Sequence, residues 1–266
     1  GLAGTPHAPV VAKTAVELAR AHGAELTGVT VVDMQALRRA GPAPIGAGEV
    51  ARELGEHRVS VTRERMEQAI GDFSQICNEA GVQFQVLREE RDSPFDYLIS
   101  QSRYHDVTVL GVRGIFEFGV IGETEYDPSL SLIKLISGGV RPIIAVPSEY
   151  HEVKRVMVAY SGSVESAKTM KRFVQLRPWE NIEVRIVTFE HSQDRAERLL
   201  ADAAKYFQAH SIAAQTEYIP KPAKDALIPE AEDWGADLVV LGNSAQSLLR
   251  RRVLGETALN AMRTAN

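Results

Sequence analysis

The sequence predicts an α/β protein built from two sister domains, each an open, mainly parallel sheet flanked by helices. Two observations carry this expectation. Short β-branched apolar runs alternate with amphipathic stretches of helical length along the chain, the pattern that makes βαβ units and a parallel sheet covered on both faces. The chain also repeats itself: laying Gly4-Thr5 over Gly162-Ser163 brings the segments that follow into step, one after another.

Each element follows from its residues. In the first half, Gly1–Thr5 leads into a helical stretch, Pro9–His22, with Val11, Thr14, Leu18 and His22 on one face. The run Leu26–Val32 (LTGVTVV) reads as the next strand and matches Ile182–Phe189 (IEVRIVTF). A long helix ending near Ala80 matches Asp194–His210, on which Leu199, Ala203, Tyr206 and Phe207 share a face. Val82–Leu87 then matches Ile212–Ile219 as a strand, and Phe95–Tyr104 matches Ala223–Trp234 as a helix. Asp106–Gly111 matches Asp237–Gly242 as the fourth strand and its glycine. Gly81 and Gly235 stand where helices must stop, consistent with C-cap use.

The match is uneven at its ends. The strand Arg155–Val158 precedes the loop Ala159–Ser163 and the helical stretch Val164–Gln175, whereas the first half opens almost on its equivalent loop. The first half closes on the strand Arg141–Val146, for which the second half has no counterpart. The expectation is that these outermost strands are missing from the chain or are supplied by another one. The first domain is expected over 1–147 and the second over 152–266, with Pro147-Ser148-Glu149-Tyr150-His151 between them. Gly41–Gly48, rich in glycine and proline, reads as a flexible loop.

Composition narrows the function classes. No run approaches the roughly 18 apolar residues of a membrane span, and the opening GLAGTPHAPVV lacks the regions of a secretory signal. The single cysteine, Cys77, excludes an intramolecular disulfide and suits a reducing cytoplasm. A net charge of −5 gives no electrostatic case for nucleic acid or an anionic membrane. The acidic excess lies in residues 1–150, with fourteen basic and twenty acidic side chains, whereas 151–266 carry sixteen and fifteen. The second half is therefore the better host for an anion.

In a doubly wound sheet, ligands bind beyond the carboxyl ends of the strands, where the loops after the first and fourth strands meet. In the second half these loops are Ser161-Gly162-Ser163 and GNSAQSLLRRRVLGET, residues 242–257. Glycines let a backbone approach closely, and loop amides with a helix N-terminus supply donors to a phosphate. Gly242, Asn243, Ser244, Gly255 and Thr257 suit that task, and of Arg250, Arg251 and Arg252 one or two can face a common ligand. Glycine-bearing loops occur in every α/β fold, and three arginines are equally at home in water. Neither a Walker A loop nor a G-x-G-x-x-G fingerprint is present.

A tandem repeat with a G[ST] loop before the first helix and a glycine-rich loop after the fourth strand resembles the universal stress proteins. Nucleotide-binding members of that family carry G-x2-G-x9-G-[ST] at the second loop. Here the spacing is kept as Gly242, Ala245 and Gly255, but Glu256 holds the hydroxyl position and Thr257 follows one residue later. The family's aspartate before G[ST] is Ser161 in one half and Ala3 in the other. The first half runs Gly111, Arg113, Gly114, Gly122, Glu123 and Thr124, a shorter and more acidic loop with Glu117 and Glu125 nearby. The resemblance implies a Rossmann-like fold of the adenine nucleotide α-hydrolase type. It implies a nucleotide site at Ser161, Gly162, Ser163, Phe189, Gly242, Asn243, Ser244, Arg250, Gly255, Glu256 and Thr257. A weaker first-domain site would use Gly4, Thr5, Val32, Gly111, Arg113, Gly114, Gly122 and Thr124. ATP or AMP is the implied ligand, with room for Mg2+. The two domains would form an intramolecular pseudo-dimer, open to homodimerisation, with Arg141–Val146 at a pairing surface.

Glu256 weakens the expectation of a triphosphate, because a carboxylate among phosphate oxygens is repulsive by roughly 1–4 kcal/mol. Glu123 occupies the same place in the first half, so the acid reads as a shared structural choice, such as helix capping.

Other conspicuous residues have plainer readings. The seven histidines form no metal-ligand spacing with Cys77, so no metal site is expected. Cys77 reads as a buried small residue, Glu89-Glu90-Arg91-Asp92 as a solvated turn, and Trp179 and Trp234 as packing residues. Ser161 and Ser163 lack a sequence context for serine hydrolase chemistry, and no catalytic residue is expected. The leading functional expectation is a cytoplasmic stress protein that binds an adenine nucleotide and alters partner binding with little turnover. The alternative is a non-catalytic interaction module with degenerate pockets or a non-nucleotide ligand. An adenylating enzyme ranks last, for want of a pyrophosphate motif.

Overall fold

The structure, a computed structural model, describes residues 1–5, 8–33, 37, 48–91, 94–111, 135, 136, 138 and 142–242. The chain divides into two compact units, Gly1–Tyr150 and His151–Asn266.

In the first unit the described elements run α1 (Ala8–His22), β1 (Leu26–Asp33), α2 (Gly48–Ala80), β2 (Phe84–Arg91), α3 (Pro94–Ser102), β3 (Thr108–Gly111) and β4 (Ile143–Val146). β1 pairs with β2 and β3 with β4, both in parallel. The core between α1, α2 and the sheet holds Leu2, Ala12, Val16, Ala19, Phe73, Cys77 and Val82. Cys77 is fully buried, and burial pushes its thiol up, away from the thiolate that a nucleophile needs.

Two expectations for this unit need correction. The buried stripe of α1 is Val11, Ala12, Val16 and Ala19; Thr14 and Leu18 are half-buried and His22 is exposed. The small alanines let α1 lie close to its neighbours, which the larger side chains one position away would prevent. The segment Glu89–Arg91 is strand and not turn: β2 starts two residues later than expected and runs through Arg91, opposite Val31–Asp33. Its charges are met by the helix beside it. Arg63 of α2 makes a fork-on-fork pair with Glu90 at 2.7 and 2.8 Å, and Arg88 pairs with Glu67. The glycine-rich insert falls at residues 41–47, outside the described part of the chain, and Gly48 opens α2.

The second unit contains β5 (Arg155–Ala159), α4 (Val164–Leu176), β6 (Glu183–Phe189), α5 (Gln193–Ala209), β7 (Ala214–Ile219), α6 (Ala223–Trp234) and β8 (Leu238–Leu241). Its sheet is parallel throughout, in the order β7-β6-β5-β8. Each strand alternates between two cores. Val156, Val158, Val184, Ile186 and Val240 pack with α4 and α5 through Met170, Phe173, Leu200, Ala203 and Phe207. Met157, Val187 and Ile219 pack with α6 through Ala226, Leu227 and Ala231. Of the expected α5 face, Ala203 and Phe207 are core, while Leu199 and Tyr206 are half-buried. Sheets buried on both faces need such near-continuous apolar strands, and each fully buried large side chain contributes roughly 1.5–3 kcal/mol.

Gly235 ends α6 as expected, at φ +70, with its N–H bonded to Ala231 and Glu232 carbonyls. Just beyond it, Asp237 accepts from the backbone N–H groups of Lys154 and Arg155 at 2.9 and 2.8 Å, tying the start of β5 to the start of β8. Among the described residues no helix is long and apolar enough to cross a membrane. Truncating the fully buried side chain that joins α5 to the sheet, Phe207→Ala, is expected to cost about 3–5 kcal/mol, read as a lowered urea midpoint of the second unit.

Candidate functional site

The site is built where β5 and β8 deliver their loops to the same sheet edge. β5 ends at Ala159, and Tyr160 N–H still bonds Val187 O at 2.9 Å, so the chain leaves the sheet at Ser161. Gly162 turns it at φ +71, where a Cβ would meet the Leu199 side chain at 2.5 Å. Ser163 then caps α4: its backbone is extended and its hydroxyl accepts from Ser166 N–H at 3.2 Å.

Three hydroxyls gather at this helix start. The oxygens of Ser161, Ser163 and Ser166 lie 3.0–3.2 Å apart, and the Ser166 hydroxyl donates to Ser163 O at 2.9 Å. Ser161 and Ser163 are exposed, whereas Ser166 is buried and holds the other two in place. Gly242, the first residue after β8, closes the other side. A Cβ there would stand 2.7 Å from Ser166 Cα and N and 2.8 Å from Glu165 C, so only glycine lets the β8 loop leave against the first turn of α4. The helix N-terminus and two exposed hydroxyls make this edge favourable to negative charge.

Of the expected residues in this unit, the structure therefore brings together Ser161, Gly162, Ser163 and Gly242. Phe189 is half-buried and packs on the α6 core, the face of the sheet opposite the serine cluster. Asn243, Ser244, Arg250, Gly255, Glu256 and Thr257 lie outside the described residues. Ser166 was missed by the sequence reading. Its signal is the three-residue spacing from Ser163, which places it at the third position of the helix.

In the first unit, Gly4 and Thr5 precede α1, with Thr5 O accepting from Ala8 N at 3.1 Å, and Gly111 ends β3 opposite Val146. Val32 is fully buried among Leu37, Val59 and Met66, so its side chain is core. Arg113, Gly114, Gly122 and Thr124 lie outside the described residues. With Gly4-Thr5 laid over Gly162-Ser163, Ser161, Ser163 and Ser166 fall on Ala3, Thr5 and Ala8, so one hydroxyl stands against three.

Among the described residues, the bonds of the serine cluster run between its own hydroxyls and the backbone. Glu165 pairs with Lys168 at 3.2 Å. Among the described residues no three His, Cys, Asp or Glu side chains converge as a metal site. Removing the buried hydroxyl, Ser166→Ala, leaves Ser161 and Ser163 without their common partner and is expected to destabilise the second unit by about 1–2 kcal/mol, measured by thermal unfolding.

Known proteins share this fold. The model of the universal stress protein family matches residues 185–266. The chain is 20% identical over 216 residues to universal stress protein Slr1230 of Synechocystis sp., covering 79% of this chain and 73% of that protein. A universal stress protein from Archaeoglobus fulgidus superposes with a TM-score of 0.54 at 14% identity, over 90% of this chain and 93% of its own. A candidate universal stress protein from Pseudomonas aeruginosa gives 0.53 at 14% identity, over 90% and 89%. These structural likenesses establish the fold, parallel sheets flanked by helices in the Rossmann-like manner. The chain thus carries a universal stress protein family domain over residues 185–266.

Proposed function

We propose that the protein is a tandem universal stress protein whose second unit binds an adenine nucleotide, ATP or AMP, and whose first unit is a sister repeat with a reduced site. One observation carries the reading: Gly242 is packed backbone to backbone against the first turn of α4, beside the exposed Ser161 and Ser163 hydroxyls. That approach joins the two loops from which an α/β sheet of this kind takes its ligand. The hydroxyls bond one another in the free protein and can turn to phosphate oxygens when these arrive. The near balance of charge in residues 151–266, against the acidic first half, favours the same unit.

The reading is one of binding and not turnover. What supports it is that the three serine hydroxyls bond one another and the backbone, an arrangement suited to donating to an anion. Where ATP is bound, any Mg2+ comes with the phosphates, since the described residues offer no carboxylate cluster for it. The nucleotide then acts as a signal: its presence orders the two loops and changes the surface they offer a partner. One buried cysteine with a raised thiol pKa is consistent with a reducing cytoplasm.

Calorimetric titration tests this. The protein is expected to bind ATP or AMP with micromolar affinity, about −8 kcal/mol. Ser163→Ala should weaken binding roughly tenfold to a hundredfold, the loss of one hydrogen bond to a charged group. Gly242→Val should abolish it by pushing the β8 loop off α4, with circular dichroism confirming that the sheet survives. Equal binding by the native protein and by Gly242→Val would overturn the proposal.

A further inference from the structure

The connector between the two units is shorter in the fold than the segment Pro147–His151 that the sequence suggests. The first unit extends through Tyr150, and the second begins at His151. Beyond β4 the chain passes the half-buried Pro147 and Ser148 and the exposed Glu149, and Tyr150 then lies back on α1. The Tyr150 hydroxyl stands 2.9 Å from each carboxylate oxygen of Glu17 and donates its single proton between them. Lys13 Nζ lies over the same ring, 3.5 Å from its centre. Lys13 and Glu17 are about one helical turn apart, so both reach this ring from one side of α1.

The far end of the connector is anchored as well. Val153 packs against the core shared by α4, α5 and the sheet. The amides of Lys154 and Arg155 bond Asp237, and Lys154 O accepts from Glu183 N–H at 2.8 Å. Between the two anchors stand His151 and Glu152, both exposed. Glu152 pairs with Lys154 at 2.7 Å, but both side chains stand largely in water, where such a pair contributes little.

We propose that Tyr150 is a buckle: it fastens the end of the first unit to α1 and leaves a hinge of two residues, His151 and Glu152. Two residues reach about 7 Å when extended, whereas with the buckle open Pro147–Glu152 would reach about 20 Å. The buckle thus sets the length of free chain, and with it the effective concentration of one unit about the other. α1 begins at Ala8, just beyond Gly4-Thr5, the pair that matches Gly162-Ser163. A shift of α1 is therefore passed through Lys13 and Glu17 to the hinge, which makes the buckle a coupling between that loop and the connector.

The glutamates of this segment, Glu149 inside the buckle and Glu152 in the hinge, allow a direct test with a glutamate-specific protease. Two full-length chains are compared, Glu149→Gln, which can be cut here only after Glu152, and Glu152→Gln, which can be cut here only after Glu149. Each rate, read by mass spectrometry, is divided by that of the matching short peptide, which removes the enzyme's own sequence preference. Cleavage after Glu152 is expected to be at least tenfold faster than cleavage after Glu149. Tyr150→Phe keeps the ring over Lys13 and removes the hydroxyl. Added to the Glu152→Gln chain, it should speed cleavage after Glu149 roughly tenfold to a hundredfold, the loss of one hydrogen bond to a charged group, because proteolysis tracks the open population. Glu17→Gln should act in the same direction, and the two changes together should do no more than Tyr150→Phe alone. Equal cleavage of the two single-site chains would overturn the inference, and so would a Tyr150→Phe chain cut no faster than its parent.

Discussion

Everything in the second unit depends on the double pairing of β5. It is bonded on both edges, to β6 and to β8, and it feeds both cores, Val156 and Val158 to one face and Met157 to the other. A parallel strand with both edges and both faces covered must be short, apolar and free of interruptions, and RVMVA satisfies that. Its start is held by Asp237, and its end releases the chain at Ser161. The position of the serine cluster is thus set by the sheet, and the helix that follows only receives it.

The same geometry explains why glycine is required at Gly242. β8 leaves the sheet beside β5, so its loop must pass the first turn of α4 at backbone contact. The closeness that excludes a Cβ also sets Gly242 against the backbone of Glu165 and Ser166 at the start of α4. Chemistry at this edge is that of donors: amides, hydroxyls and the positive end of a helix. At Ala3, Thr5 and Ala8 of the first unit, Thr5 alone carries a hydroxyl. The contrast between this stretch and Ser161, Ser163 and Ser166 is one of hydroxyl number.

Much of this plan is legible in the residues. The alternation of LTGVTVV, IEVRIVTF and their helices sets the parallel architecture, because side chains buried on both faces leave few other readings of such runs. Gly235 was legible as a C-cap because a helix pattern ends where the next strand must begin. Other features were not. The run Glu89–Arg91 looks like a turn by composition, and becomes strand through Arg63 and Arg88, whose partners on and against α2 lie far away in sequence. The α1 stripe was misplaced because alanines carry little hydrophobic signal, although close helix packing selects them. Ser166 was legible only through its three-residue spacing from Ser163; its contact with Gly242 is one that the folded sheet creates. Phe189 could be placed at a strand end from sequence, but which face it serves depends on strand alternation across the whole sheet.

The proposed nucleotide site of the second unit lies at the start of α4, beside Gly242. Native mass spectrometry of the freshly purified protein, before and after equilibration with ATP, reads ligand identity and stoichiometry together. The account expects one adenine nucleotide per chain, retained from the cell or taken up from solution. A chain that stays bare in saturating ATP, or one that takes up two equivalents, would contradict it.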